Sequence, residues 1–195
     1  MTSFNPFLNP LLNFFPAEEI PQRRLIIKSL RSLASERNEK RAATARSLLN
    51  LVYTVAGQSV YPGWQLHKSA GRYQRLAEYY TGRFAATKDR NVVALYLMDD
   101  DGCFLGDVVI TESDQPTWTD IPIAAIVKIL DERRAKSFIL IRYQPTNHFS
   151  VPENELHYTD ELQETVNHLD IPIVDAIIIG NGKYFSLIKH DLIVH

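Results

Sequence analysis

Histidine and acidic side chains are the residues through which this chain could hold a metal ion. The six histidines are His67, His148, His157, His168, His190 and His195. Imidazole and carboxylate groups are ligands that zinc accepts, and His148 lies a short distance before Glu155. A metal site built on these two residues is one hypothesis. Our default expectation is that the histidines lie on the surface or cap the ends of helices.

Other familiar catalytic and binding motifs are absent from the sequence. Cys103 is the only cysteine, which excludes both an internal disulfide and a CxxC zinc site. Serine, histidine and aspartate occur without the motif of a catalytic triad, and the glycines do not form a phosphate-binding loop. The sequence therefore offers no ready-made nucleophile or nucleotide site.

Charge is spread unevenly along the chain, although the formal net charge is only −2. Basic side chains concentrate before residue 46, whereas residues 143–182 contain no lysine or arginine. Helices in the basic region could contact the phosphates of a nucleic acid, and a solvated helix face is the simpler alternative. The candidate nucleic-acid contacts are Arg23, Arg24, Lys28 and Arg31.

Length and composition are those of a globular protein with one sizeable core, or with a small core and an appended helical region. The 195 residues are 45 % hydrophobic and 23 % charged. No apolar run approaches the ~18 residues that a membrane span requires. The N-terminus lacks the basic region and the cleavage site of a signal peptide. With a lone cysteine that fits a reducing compartment, these features predict a cytoplasmic protein that does not bind membranes.

The first twenty residues form an apolar arm. They are rich in phenylalanine and leucine, and Pro6, Pro10 and Pro16 prevent a long regular helix. An apolar arm must be buried somewhere, either on its own chain or on a second copy. The second arrangement would make the protein a homo-oligomer.

Helical periodicity dominates the next part of the chain, and strand patterns begin near Asn91. Apolar residues recur at helical spacing over 23–56, with a charged link near 36–40, and again over 69–84. Ser150 and Glu153 form a capping-box pattern at the start of a later helix. The further predicted elements are strands at 92–98, 103–111, 137–143, 173–179 and from 184, and helices at 121–133 and 153–169. This order predicts an α/β sandwich with a mixed central sheet.

The segment from Ser137 to Ser186 resembles the signature of the RadC-like JAB/MPN domain family. In that signature an apolar strand leads into His-Asn-His-Pro-Ser-Gly, then Ser-x-x-Asp opens a helix, and an isoleucine-rich strand ends with glycine, an aromatic residue and serine. The matching positions are Pro145, Thr159, Leu162, Asp175, Ile177, Ile178, Gly180, Tyr184, Phe185 and Ser186. The upstream segment VVALYLMDDDGCFLGDVVI resembles the family's opening hairpin.

The resemblance implies a fold and a division into domains. It implies a JAB/MPN (cytidine-deaminase-like) three-layer α/β sandwich with a mixed central sheet over residues 89–195. An apolar arm and an α-helical N-terminal region, residues 1–88, would precede it.

The family's metal positions do not carry metal ligands in this chain. Its two histidines fall on Arg142 and Gln144, its serine on Pro152, its aspartate ligand on Glu155, and its catalytic glutamate on or beside Asp107. An arginine has no lone pair and stays charged, and a glutamine carbonyl is a weak zinc ligand. The resemblance therefore implies a domain without a catalytic metal or other cofactor.

We hypothesise that the Arg142 guanidinium takes the place of the metal ion and pairs with Glu155, and also with Asp107, because a guanidinium suits two carboxylates. The predicted function is that of a non-catalytic interaction or scaffold module whose partner is a protein or peptide, bound by strand addition to a sheet edge. One alternative is a metal-dependent hydrolase with altered ligands. The other is a DNA-associated protein acting through the basic helices, although the hairpin of the RadC DNA-binding module is missing.

Overall fold

Five strands form one mixed sheet in the computed structural model, which describes residues 29–30, 32–34, 38–57, 60, 63–66, 71–84, 90–114, 116–146 and 149–192. The strands are β1 (Asn91–Met98), β2 (Phe104–Ser113), β3 (Ser137–Tyr143), β4 (Ile173–Gly180) and β5 (Lys183–Ser186). Their order is β2-β1-β3-β4-β5. Strands β3 and β4 are parallel, and the other neighbours are antiparallel. The predicted mixed central sheet is confirmed.

Four helices accompany the sheet in the described part of the chain. They are α1 (Glu39–Gly57), α2 (Arg72–Arg83), α3 (Ile123–Glu132) and α4 (Glu153–Asn167). Short 3-10 turns lie at Trp118–Asp120 and Ile188–His190. The helices predicted from periodicity after the charged link near 36–40 are confirmed to within a few residues at each end. Residues 29–30 and 32–34 are also helical, and the apolar arm lies outside the described residues.

The sheet is covered on both faces, which gives the predicted three-layer sandwich. Successive strand residues point to opposite faces. On the first face, which we call the α4 face, strand residues pack against α3 and α4; this core includes Val93, Leu95, Phe138, Leu140, Ile178, Ile126 and Leu162. On the second, the α2 face, strand residues pack against α2; this core includes Val92, Tyr96, Ile139, Ile177, Ile179, Leu76 and Tyr80.

The start of α4 lacks the predicted capping box, and the turn before α3 has one that was not predicted. The capping box predicted from Ser150 and Glu153 is wrong, because Pro152 occupies the N-cap and makes no side-chain capping bond. A capping box is present instead at Thr117, whose backbone N–H donates to Asp120 Oδ2 at 2.8 Å. It fixes the turn that carries Trp118 against α4.

Gly180 lets the loop after β3 lie directly against the end of β4. A Cβ atom on Gly180 would overlap the carbonyl oxygen of Thr146 and lie 3.1 Å from that of Gln144. The backbone N–H of Gln144 donates to the carbonyl of Ile179 at 2.8 Å. Only glycine permits this close approach of two backbone segments.

Candidate functional site

Arg142 projects from β3 into the core of the α4 face. Its register partners are Val93 on β1 and Ile178 on β4, and both belong to that core. Only 6 % of Arg142 is exposed. A guanidinium stays charged in proteins, so at this depth it needs a compensating partner.

Glu155 is that partner. It lies in the first turn of α4 and is fully buried. Arg142 Nη1 donates to both carboxylate oxygens of Glu155 at 2.5 Å, and Nη2 donates to the carbonyl of Ser150 at 2.6 Å. The backbone N–H of Trp118 also donates to Glu155 Oε1 at 3.1 Å. The predicted ion pair between Arg142 and Glu155 is confirmed.

The ring of Trp118 forms a wall of the same site. The Arg142 Cζ atom lies 5.2 Å from the centre of the ring, within the range of a cation–π contact. Arg142 Nε and Trp118 Nε1 are both buried and have no hydrogen-bond partner among the described residues. Both groups are donors without a lone pair to offer, so neither could coordinate a metal ion.

The residues at the expected metal positions do not fit a zinc ion. Glu155 already accepts hydrogen bonds from Arg142 and Trp118. Gln144 is half-buried at the end of β3, and Pro152 is exposed at the start of α4. Within the described ranges, no group of three His, Cys, Asp or Glu side chains could hold a metal ion. His148 lies outside those ranges.

Asp107 does not join this site. Its register partner on β1 is Tyr96, which belongs to the core of the α2 face, whereas the next residue, Val108, packs against the α4 face. Asp107 accepts a hydrogen bond from Arg83 Nη1 at 2.7 Å and one from the Tyr79 hydroxyl at 3.4 Å. Burial raises the pKa of Asp107 above its usual value. The expected contact with Arg142 is therefore wrong: strand alternation turns the carboxylate to the other side of the sheet.

The described histidines lie at helix ends and on the surface, as expected by default. His157, His168 and His190 are exposed. His168 Nδ1 lies 2.6 Å from the carbonyl oxygen of Glu164, and His190 Nδ1 lies 2.8 Å from that of Ser186. The other three histidines and the four nucleic-acid candidates are His67, His148, His195, Arg23, Arg24, Lys28 and Arg31, and all seven lie outside the described residues.

Trp118 is the member of the site that sequence reasoning missed. It precedes Glu155 by 37 residues and lies in a short turn between two regular elements. The available signal was the pair Thr117 and Asp120, whose spacing is that of a capping box. That signal predicts an ordered turn, but it does not predict what the turn contacts.

Comparison with known proteins finds one family match. The sequence profile of the RadC-like JAB domain matches residues 71–192, a range that contains helix α2 and the whole sheet. The division predicted at residues 88 and 89 stays a prediction. A search of curated proteins gives no significant match. Within the part of the chain that the structure describes, no helix has the length and apolar character of a membrane span.

Proposed function

The chain belongs to the RadC-like JAB domain family, and from that premise we propose that it is a non-catalytic member acting as an interaction or scaffold module. The observation that carries the proposal is the buried pair of Arg142 and Glu155, at positions where the resemblance leads us to expect metal ligands. The guanidinium supplies the positive charge that a dication would otherwise bring to Glu155. The pocket is thereby neutralised without a metal.

This arrangement lacks the means to activate water. A metal-dependent hydrolase uses its metal ion to lower the pKa of a bound water. Arg142 offers no open coordination position, and it cannot act as a base because it is not deprotonated in proteins. Asp107, on or beside which the family's catalytic glutamate is expected to fall, lies on the other face of the sheet beside Arg83.

The outer edge of β2 supports a role in binding an extended peptide or protein segment. This strand is ten residues long and is an outermost strand of the sheet. Among the described residues, the backbone of 63–66 pairs with residues 102–104, which lead into β2 and include its first residue. Leu105 and Val109 are exposed along the strand. An edge strand presents main-chain donors and acceptors to which a partner strand can add.

Metal analysis tests the non-catalytic proposal against the hydrolase alternative. The purified full-length protein is analysed for zinc and then titrated with zinc after treatment with a chelator. We expect the purified protein to contain less than one zinc per chain and to show no saturable zinc binding at this site. The Glu155→Gln variant should give the same titration curve. One tightly bound zinc per chain that is lost in Glu155→Gln would support the hydrolase.

Two further proposals rest on the sequence alone. We propose a cytoplasmic location and a homo-oligomer formed through the apolar arm. DNA binding through the basic helices remains an alternative, since those residues lie outside the described ranges. Phosphate contacts would make DNA binding strongly dependent on salt. If a gel-shift assay at low salt shows no retarded DNA band, this alternative is excluded.

A further inference from the structure

Asp175 is a buried carboxylate that the proposed function does not use. It lies on β4, is fully buried, and pairs in register with Ile139, which places it on the α2 face. It accepts hydrogen bonds from Ser186 Oγ at 2.5 Å and from the backbone N–H of Ile188 at 3.3 Å. Burial, together with the negative charge of the nearby Asp175 carboxylate, raises the pKa of the Tyr73 hydroxyl to about 12. Asp175 is thus the centre of a hydrogen-bonded network.

Two basic residues lie beside this network. The Arg72 Cζ atom lies 5.1 Å from the centre of the Tyr73 ring. On the other side, the backbone N–H of Lys189 donates to Ser186 Oγ at 3.1 Å, and Ser186 Oγ in turn donates to Asp175. Lys189 is thus tied through its backbone to a direct partner of the buried carboxylate.

Aromatic rings support both cations at the surface. Lys189 Nζ lies 5.9 Å from the centre of the Tyr184 ring, and the rings of Tyr73 and Tyr184 are 5.7 Å apart. Contacts of this kind restrict long basic side chains that would otherwise sample many rotamers. The network and the rings together hold two positive charges near one another before any ligand binds.

These side chains surround a cavity of about 500 Å³ that is open to solvent. Its lining includes Arg72, Tyr73, Tyr184, Ser186 and Lys189. The described lining contains two cations and no carboxylate. Asp175 lies beneath it, bonded to Ser186, and burial raises the pKa of Asp175. The cavity therefore has a surplus of positive charge.

We propose that this cavity binds a phosphate group, either as free phosphate or as a small phosphate monoester. A guanidinium matches the geometry of phosphate oxygens in a bidentate fashion, and a lysine supplies a compact charge from a second direction. The cavity opens on the α2 face, with the sheet between it and the pair of Arg142 and Glu155. This site is independent of the proposed function.

Titration of the full-length protein with phosphate tests the proposal. Binding of inorganic phosphate is measured by calorimetry at constant ionic strength, with acetate as the comparison anion. We expect saturable phosphate binding that is weakened about tenfold or more in Arg72→Gln and in Lys189→Gln, because each removes a charge-assisted bond. Lys183→Gln is the matched control, since Lys183 is an exposed lysine on β5 outside the cavity lining.

A nucleoside monophosphate and its nucleoside distinguish the two phosphate sources. If the nucleoside monophosphate binds more tightly than phosphate and the nucleoside does not bind, the ligand of the cavity is a phosphate ester. Equal affinity identifies free phosphate. The proposal is overturned if phosphate binds no more tightly than acetate, or if both cavity variants bind it as the wild type does. Circular dichroism checks that the variants fold, and if one variant does not fold, the other decides the outcome.

Discussion

Arg142 and Glu155 form a buried pair in which the two charges compensate each other. A buried carboxylate needs a positive partner, and a guanidinium can meet that need as a metal ion does. Here both carboxylate oxygens accept from Arg142 and one also accepts from Trp118. The hydrogen bonds of this carboxylate are therefore made to protein groups, which supports the proposed non-catalytic role.

Replacing Arg142 with leucine should destabilise the fold strongly. The change leaves Glu155 buried without a partner, and breaking a buried pair in this way costs about 3–5 kcal/mol. Urea unfolding of the wild type and Arg142→Leu measures the difference. The double variant Arg142→Leu/Glu155→Leu should recover much of the loss, because it leaves no unpaired charge. If Arg142→Leu and the double variant are both as stable as the wild type, the ion pair does not stabilise this site.

Asp175 should make stability depend on pH. Burial raises the pKa of Asp175 in the folded state. The Asp175 carboxyl therefore keeps its proton to a higher pH in the folded protein than in the unfolded chain. The stability from this group is fully present below the unfolded-state pKa of about 3.9 and is lost as pH rises through the raised value. Relative to Asp175→Asn, the wild type should therefore gain stability as pH falls from 7 towards 4. Thermal unfolding across this range measures the gain, and a constant difference between the two proteins would contradict it.

The ion pair could be predicted from sequence, whereas its surroundings could not. The resemblance placed Arg142 and Glu155 at neighbouring positions of one pocket, and charge compensation then required their contact. The expected contact between Arg142 and Asp107 failed because a shift of one residue along a strand turns a side chain to the other face. Strand β2 also contains register irregularities opposite β1, which a sequence pattern does not locate.

At the scale of elements, periodicity was sufficient for the helices and strands. Strands β3 and β4 read as continuous apolar runs because both of their faces are covered, as the two cores show. The predicted capping box at Ser150 failed because the helix begins later, with Pro152 at the N-cap. A spacing pattern near a helix start does not by itself identify the N-cap residue.

Gly180→Ala should destabilise the junction between β4 and the loop after β3. The added Cβ atom would meet backbone atoms of Thr146 and Gln144, which cannot move aside as a flexible side chain could. Overpacking of this kind typically costs about 1–3 kcal/mol. Chemical denaturation measures the change, with Lys183→Ala on the exposed side of β5 as the control. Equal stability of Gly180→Ala and the wild type would show that the loop can move away from the strand.

At the scale of the whole molecule, the sheet separates two sites with different chemistry. The α4 face holds the neutralised pair of Arg142 and Glu155, and the α2 face holds the cationic cavity above Asp175. Neither depends on contacts of the other. Substitutions in one site should therefore not change the property measured at the other, which is zinc binding at the ion pair and phosphate binding at the cavity. The two proposals can thus be disproved independently.

Removal of the apolar arm should convert a homo-oligomer to a monomer. Residues 1–20 are rich in large apolar side chains that require a surface to cover them. Light scattering after size exclusion compares the full chain with a chain that begins at residue 21. The oligomer proposal predicts a concentration-dependent larger mass for the full chain only. Equal monomeric masses would indicate that the arm packs on its own chain.

Anomalous scattering at the zinc edge, from crystals grown with zinc, tests the central claim most directly. The account predicts no zinc peak within coordination distance of Glu155, and it predicts that Arg142 still donates to both oxygens of that carboxylate. A strong peak beside Glu155, with the guanidinium displaced, would show that the site binds a metal ion and would contradict the non-catalytic assignment.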